Sequence, residues 1–149
     1  MAKLVWALLC QRMILDQGTN LVSYIDALDA IAVTHFPAKS PLIVVSSLWQ
    51  RGTETKLEMR VRVFSPHGNV LAEIEAVPLD FAPQHQRGRM AVGLAGFDID
   101  GPGRYEFGIE TRENGAWKEV HRVPFDIESA HLVAVESPAP AHRVRAGKA

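Results

Sequence analysis

Apolar and polar residues alternate along much of this chain with the period of two that a β-strand requires. The clearest case is residues 56–63, where every second position is apolar and every position between is charged: Leu57, Met59, Val61 and Val63 against Lys56, Glu58, Arg60 and Arg62. Successive side chains of a strand point to opposite faces, so the segment predicts a strand with one buried and one solvated face. Residues 70–77 resume the alternation after a turn-forming stretch, which predicts a hairpin.

The charges of this hairpin also predict its register. A four-residue loop at 66–69 pairs Ser65 with Val70, and then matches opposite charges and apolar residues across the strands: Arg62 with Glu73, Arg60 with Glu75 and Val61 with Ile74. A three-residue loop sets Arg62 opposite Ala72 instead. Only the longer loop satisfies both faces, and each opposite-charge pair contributes about 0.2 to 1 kcal/mol. We therefore predict the register of the four-residue loop.

Further apolar or alternating segments predict strands at residues 4–9, 21–25, 31–34, 41–49, 90–97, 105–111 and 117–125. A helix is the alternative at 4–9, because Ala and Leu favour helices and the apolar run continues into residues 13–15 without a cap. The segment 41–49 is rich in β-branched residues and is expected to be a central strand. Residues 80–89 lack periodicity and predict an exposed loop. The chain as a whole predicts an all-β fold of about eight strands.

The last predicted hairpin turns at Asn114-Gly115, a strong hairpin signal, but its register stays open. A two-residue turn pairs Ile109 with Val120 and sets two like charges, Glu110 and Glu119, against each other. A three-residue turn pairs Glu110 with Lys118 and leaves Ile109 opposite Glu119. Each register has one unfavourable pair, so the pattern does not choose between them.

The segment Asp100-Gly-Pro-Gly-Arg-Tyr-Glu-Phe107 predicts a sharp turn that leads into a strand. Its spacing resembles the tyrosine corner of immunoglobulin-like sandwiches, in which the Tyr hydroxyl bonds back to the turn and the ring enters the core. Tyr105 occupies the place of that tyrosine, and Phe107 stands where the disulfide cysteine would be. The resemblance implies an antiparallel immunoglobulin-like or C2-like β-sandwich that is stabilised by packing.

The composition is that of an ordinary globular domain. The chain has 149 residues, 47% of them hydrophobic, and a formal net charge of −1, which gives no sign of a nucleic-acid partner or an anionic membrane. The single cysteine, Cys10, excludes an internal disulfide and fits a reducing compartment. Residues 4–10 are short for the apolar core of a signal sequence, and Leu9 stands where cleavage requires a small residue. We expect a cytoplasmic protein without a membrane span.

No pattern indicates catalysis, a metal or a cofactor. The six histidines show no HxH or HExxH spacing, and His121, in an alternating strand, is expected to be a partly buried structural residue. Asp98 and Asp100 are expected to serve the turn, with calcium binding, aided by Asp26 or Asp29, as the alternative. Cys10 lies in an apolar strand and is interpreted as an inert core thiol. Nucleophile elbows, phosphate loops and dinucleotide fingerprints are absent from the sequence, so we predict that the protein is not an enzyme.

Four residues form the predicted binding surface. Trp6 and Trp49 lie in strongly apolar runs and are expected in the core, whereas Trp117 follows a hairpin turn and is the tryptophan most expected to be exposed. The polar residues of the 80–89 loop extend this surface with hydrogen-bond donors and acceptors: Gln84, His85 and Arg87.

Taken together, the chain resembles a family of small uncharacterised bacterial β-sandwich proteins, a domain-of-unknown-function family. The resemblance covers about Lys3 to Ile127 and is carried by five features: the apolar opening strand 4–9, the turn and strand 16–25, Pro37 before a long apolar strand, the alternating strand 57–64, and the corner at 102–109. These motifs are structural, so the resemblance carries over no functional residue.

The sequence therefore predicts a β-sandwich domain at 1–128 and a flexible, basic, Pro- and Ala-rich tail at 129–149. By elimination, we predict a non-enzymatic binding or assembly module that acts through protein contacts or as a homo-oligomer. The first alternative is a carbohydrate or small-molecule binding module with Trp117 as its platform. The second is an enzyme whose catalytic residues converge only in three dimensions.

Overall fold

A computed structural model describes residues 1–130 and confirms the all-β class. This part of the chain contains no helix and thirteen strands: β1 (Lys3–Leu15), β2 (Val22–Ala27), β3 (Ala30–Val33), β4 (Ala38–Lys39), β5 (Ile43–Gln50), β6 (Lys56–Leu57), β7 (Met59–Phe64), β8 (Val70–Glu75), β9 (Leu79–Asp80), β10 (Arg87–Leu94), β11 (Asp98–Ile99), β12 (Gly103–Glu113) and β13 (Ala116–Ser129). The helix considered for residues 4–9 is wrong, because that segment belongs to β1. Most of the predicted tail lies outside the described residues.

Two larger sheets organise the chain. A four-stranded sheet has the order β10-β5-β1-β2, and a five-stranded sheet has the order β3-β13-β12-β7-β8. Neighbouring strands are antiparallel, except that β13 and β3 run parallel. The short strands form two further pairs, β11 with β4 and β6 with β9. The expected central strand is correct, since β5 has a neighbour on each side.

The two larger sheets share one buried core. Val45 and Trp49 of β5 contribute to it from the four-stranded sheet, and Val61 of β7 and Phe107 of β12 from the five-stranded sheet. The Ser47 hydroxyl of β5 donates to the Met59 sulfur of β7 at 3.7 Å, so the inner faces touch. The finer assignment to an immunoglobulin-like or C2-like topology stays a prediction.

The register predicted for the β7–β8 hairpin is confirmed along the strands and wrong at the loop. Arg62 lies opposite Glu73, and the other two pairs are also as predicted. Next to the loop, Phe64 rather than Ser65 pairs with Val70, because a bulge leaves Leu71 without a partner and packs it against the core.

The last hairpin combines a two-residue turn with a bulge that the sequence did not reveal. Asn114 and Gly115 form the turn with positive φ angles of 50° and 79°, as type I′ geometry requires. Glu110 lies opposite Glu119, but a bulge at Val120 then sets Ile109 opposite His121. Neither of the two registers considered is therefore complete.

The corner before β12 has the geometry that its resemblance implied. The Tyr105 hydroxyl donates to the backbone carbonyl of Gly101 at 2.8 Å. Its ring is buried and packs against Phe125, with 5.6 Å between the ring centroids. The residue thus fixes the turn to the core from both ends of its side chain.

Three expectations about burial are wrong. His121 is exposed, because β3 pairs with β13 only at Asp126–Ser129 and leaves the part of β13 that contains His121 without a neighbour on that side. Trp6 is only half-buried, since it lies opposite Leu48 on the side of β1 that faces away from the core. The 80–89 segment is not all exposed loop: the Phe81 ring is buried, and β10 begins at Arg87. Trp49 is in the core, as expected.

Candidate functional site

The β1–β2 hairpin leans over the outer face of the four-stranded sheet, the face turned away from the core. β1 pairs with β5 only as far as Cys10, and from Cys10 to Leu15 it pairs with β2. Ser46 points outward from β5, and its hydroxyl donates to the Met13 sulfur of the hairpin at 3.8 Å. Tyr24 of β2 packs edge-on against Trp6, with 5.5 Å between centroids. The hairpin therefore covers part of this face, and Cys10 and Ser46 are buried.

A groove of about 890 Å³ opens where this cover ends. One wall is the hairpin, the floor is the outer face of β5 and β10, and the other wall is residues 79–86. Its apolar lining comes from all three parts of the chain: Met13, Leu15, Val22, Leu48, Leu79 and Phe81. The lining also includes Gln84, His85 and Arg87, the loop residues of the predicted binding surface. The structure thus brings three of the four residues of the predicted binding surface together in one groove.

The second wall is held in place by backbone contacts and by one glycine. The Arg51 amide donates to the Gln86 carbonyl at 2.7 Å, and the Phe81 amide donates to the Thr55 carbonyl at 2.8 Å. A Cβ atom on Gly88 would lie 2.5 Å from Cδ2 of Leu79, so the glycine lets Leu79 and Phe81 pack closely against the core-facing side of β10. The groove is bounded by anchored backbone on this side.

The electrostatics of the groove are set by two arginines. Arg87 and Arg89 are both exposed, and within residues 1–130 neither has a carboxylate within 4.0 Å. The Arg87 Nε donates to the Gln50 side chain at 3.3 Å, which orients that guanidinium. Among residues 1–130, Asp80 is the one acidic residue that lines the groove. The groove thus combines an apolar lining with an excess of positive charge.

Residues 5–128 match DUF6941, described as a family of unknown function. The chain belongs to this family. The match confirms the resemblance to a domain-of-unknown-function family and includes every residue that lines the groove. A comparison with curated proteins finds no match.

Trp117, the fourth residue of the predicted surface, is not part of the groove in the DUF6941 domain. It is half-buried on the five-stranded sheet, and the guanidinium carbons of Arg60 and Arg112 lie 4.7 and 5.8 Å from its ring centroid. The ring thus packs against arginine through cation–π contacts. The structure therefore separates Trp117 from the loop residues.

Sequence reasoning missed the apolar half of the groove. Met13 and Leu15 belong to an apolar run that continues beyond the buried part of β1, and they reach the groove because the hairpin bends over the sheet. The signal that could have located them was this continuation of apolar residues into a segment ending in an exposed turn. Val22 and Leu48 carried no such signal.

On the outer face of the five-stranded sheet, by contrast, the arginines are paired with carboxylates. Arg60 donates twice to the Glu110 carboxylate, at 2.6 and 3.2 Å, and Arg122 donates to Glu119 at 2.6 Å. These hydrogen bonds raise the pKa of each arginine above its ordinary value. Like charges at Glu110 and Glu119 are thus tolerated, because each carboxylate has an arginine of its own.

The other chemical candidates of the sequence lie outside the groove. Asp98 forms an ion pair with Lys39. Within residues 1–130, no three His, Cys, Asp or Glu side chains are grouped as metal ligands. Burial raises the pKa of the Cys10 thiol, which lowers its reactivity as a nucleophile. The same part of the chain has no helix long and apolar enough to cross a membrane.

Proposed function

We propose that this DUF6941 protein is a non-enzymatic binding module and that a protein partner occupies the groove between the β1–β2 hairpin and residues 79–89. The observation that carries the proposal is the composition of the groove, which is apolar, open and lined by anchored backbone together with polar side chains. Binding sites in proteins commonly combine an apolar lining with a few polar groups that fix orientation.

The hairpin wall supports a protein as the occupant. Ile14, Leu15 and Leu21 are large apolar residues near its tip, and each is at least half exposed. Single exposed apolar residues are normal on a monomer, but a concentration of them beside a groove is typical of an interaction site. Burial of a side chain of this size contributes about 1.5 to 3 kcal/mol when it is complete, so even partial burial favours association.

The groove also supports the non-enzymatic part of the proposal. Its two candidates for acid–base chemistry are His85 and Asp80, and within residues 1–130 neither side chain makes a hydrogen bond to another residue. General acid–base catalysis needs such groups to be held in a defined geometry.

The cytoplasmic location that we propose rests on the single cysteine.

A second candidate is a small-molecule binding module that uses the same groove. Its volume of about 890 Å³ falls within the range of roughly 300–1,000 Å³ that is usual for ligand pockets. Carbohydrate stacking on Trp117 is less favourable, because the ring is already packed against arginine.

The test uses the full chain, a phage-displayed library of 12-residue peptides and a fragment library. We expect selected peptides to shift the backbone NMR signals of residues 79–89 and of the hairpin. Leu15→Ser should weaken their binding, whereas Leu42→Ser should not. The two leucines are 50% and 51% exposed, and Leu42 does not line the groove, so the pair controls for loss of an exposed apolar side chain.

The outcomes separate the candidates. Peptide binding that shifts the groove signals and depends on Leu15 supports the protein partner. Fragments that bind there while no peptide does would favour the small-molecule module. Peptides that bind only on the face containing Trp117, or that bind equally to Leu15→Ser and wild type, would overturn the proposal.

A further inference from the structure

We infer that the partner segment in the groove is an extended acidic peptide, with carboxylates at alternate positions and apolar residues between them. This inference rests on the proposed function and specifies the chemistry of the partner. It comes from the positions of Arg87 and Arg89 on β10 and from the guanidinium nitrogens that have no partner within residues 1–130.

The two arginines are spaced as an extended partner requires. Both lie on β10 and line the groove, and they are two residues apart on one strand. Residues i and i+2 of a strand share a face and lie about 6.6 Å apart along its axis. Carboxylates at alternate positions of an extended peptide have the same spacing, so each can meet one guanidinium.

The arginines are also available for such pairing. The guanidinium of Arg87 uses its Nε for Gln50 and has no other hydrogen bond within residues 1–130, which leaves its two terminal nitrogens for a carboxylate. Arg89 makes no side-chain hydrogen bond in that range. The two arginines supply two positive charges to the lining, and Asp80 supplies one negative charge. The charge complementary to this groove is therefore negative.

The apolar lining predicts the residues between the carboxylates. Leu48 lies directly opposite Arg89 on the neighbouring strand, so apolar surface adjoins the charge on the groove floor. Met13 and Leu15 of the hairpin form the wall over that floor. A strand directs alternate side chains to opposite sides. Carboxylates directed to β10 therefore leave the intervening side chains to contact the hairpin.

The experiment uses three synthetic octapeptides in which leucine alternates with glutamate, glutamine or lysine. Binding to the full chain is measured by isothermal titration calorimetry at low salt and at 0.5 M salt. We expect the glutamate peptide to bind about three- to tenfold more tightly than the glutamine peptide, as two partly exposed ion pairs allow, and the lysine peptide to bind most weakly. The preference for glutamate should shrink at high salt.

Charge variants locate the effect. Arg89→Glu should weaken binding of the glutamate peptide, and Arg87→Glu with Arg89→Glu should reverse the preference so that the lysine peptide binds best. Lys118→Glu makes the same change in net charge as the single variant, at an exposed position of the five-stranded sheet, and should leave the order unchanged. Circular dichroism melts of all variants verify that they are folded.

The result also distinguishes the partner's chemistry from the groove's role. Equal affinities for the three peptides, or tighter binding of the lysine peptide to wild type, would overturn the inference while groove binding stands. The inference would also be overturned, with groove binding intact, if none of the three peptides binds while library peptides of other composition bind in a Leu15-dependent way. If the glutamate peptide binds equally to Leu15→Ser and wild type, both the inference and the proposed function fail.

Discussion

The outer faces of the two larger sheets both carry arginines, but the arginines of one face are paired with carboxylates and those of the other line an open groove. On the five-stranded sheet, Arg60, Arg62 and Arg122 each lie within 4.0 Å of a glutamate of the same chain. On the four-stranded sheet, Arg87 and Arg89 line an open groove without a carboxylate partner in residues 1–130. The alternating charges of the β7–β8 hairpin predicted glutamate partners for Arg60 and Arg62, whereas the sequence did not show which residues would surround Arg87 and Arg89.

The difference assigns separate roles to the two faces. Paired arginines neutralise carboxylates that would otherwise repel each other, as Glu110 and Glu119 would across the last hairpin. Phe64 adds a further contact on this face, because the Arg122 guanidinium lies 4.1 Å from the centroid of the Phe64 ring. Changes on this face should therefore alter stability, whereas changes in the groove should alter binding.

The strongest test of this comparison is Glu110→Ala. Glu110 is buried and accepts two hydrogen bonds from Arg60, whose poorly hydrated guanidinium would then keep only its longer ion pair with Glu73, at 3.5 Å. Hydrogen bonds to charged groups contribute about 1.5–3 kcal/mol, so we expect the free energy of unfolding to fall by about 2 to 3 kcal/mol. Urea denaturation followed by circular dichroism measures this change.

Glu119→Ala is the matched control. The Glu119 side chain is 42% exposed, against 11% for Glu110, and it also pairs with an arginine. Exposed ion pairs contribute at most about 1 kcal/mol, and removing this charge relieves its repulsion with Glu110. Equal losses for the two variants would contradict the view that burial makes the Arg60 pair structural.

A smaller effect is expected for Tyr105→Phe. The substitution keeps the ring in the core and removes the hydrogen bond to the Gly101 carbonyl. We expect a loss of about 0.5 to 1.5 kcal/mol in the free energy of unfolding, with groove binding unchanged. A binding defect without a loss of stability would mean that the corner contributes to partner binding and does not stabilise the fold.

Local sequence patterns predicted much of the fold, and the failures have a common physical cause. Alternation and charge pairing determined the β7–β8 register, and the Gly-Pro-Gly-Arg-Tyr segment predicted the corner. The bulges at Leu71 and Val120 were missed, because a bulge depends on how the neighbouring strand and the core fit together. One extra residue then shifts every later pair by one position, so that Ile109 lies opposite His121 rather than Val120.

The candidate site could be predicted only by half. Gln84, His85 and Arg87 stood out as polar residues of one segment, and the structure brings them together in the groove. Trp117 belongs to the other sheet, and Met13 and Leu48 reach the groove only because a hairpin folds back over β5. Local alternation reports which residues share a strand face but not which distant segment covers that face.

In the groove, Arg89→Ala should leave stability almost unchanged. The side chain is exposed and has no hydrogen-bonding partner in the described part of the chain, so we expect the free energy of unfolding to change by less than about 0.5 kcal/mol. Urea denaturation under the conditions used for Glu110→Ala makes the two values comparable. A loss above 1 kcal/mol would mean that the groove arginines are structural after all.

The smallest expected effect concerns the hairpin wall and its dependence on pH. The Asp16 carboxylate accepts hydrogen bonds from the Gly18 and Thr19 amides at 2.8 and 3.3 Å, and these bonds lower its pKa. A carboxyl group whose pKa is lower in the folded state stabilises the fold above its unfolded pKa and loses that effect as the pH falls through the folded pKa. The Gly18 amide NMR signal should therefore titrate below the ordinary range for aspartate, and Asp16→Asn should abolish that titration. A Gly18 midpoint at or above the ordinary value would show that the turn does not depend on this carboxylate, and that the backbone hydrogen bonds of Asp16 with Asn20 and Leu21 suffice to hold it.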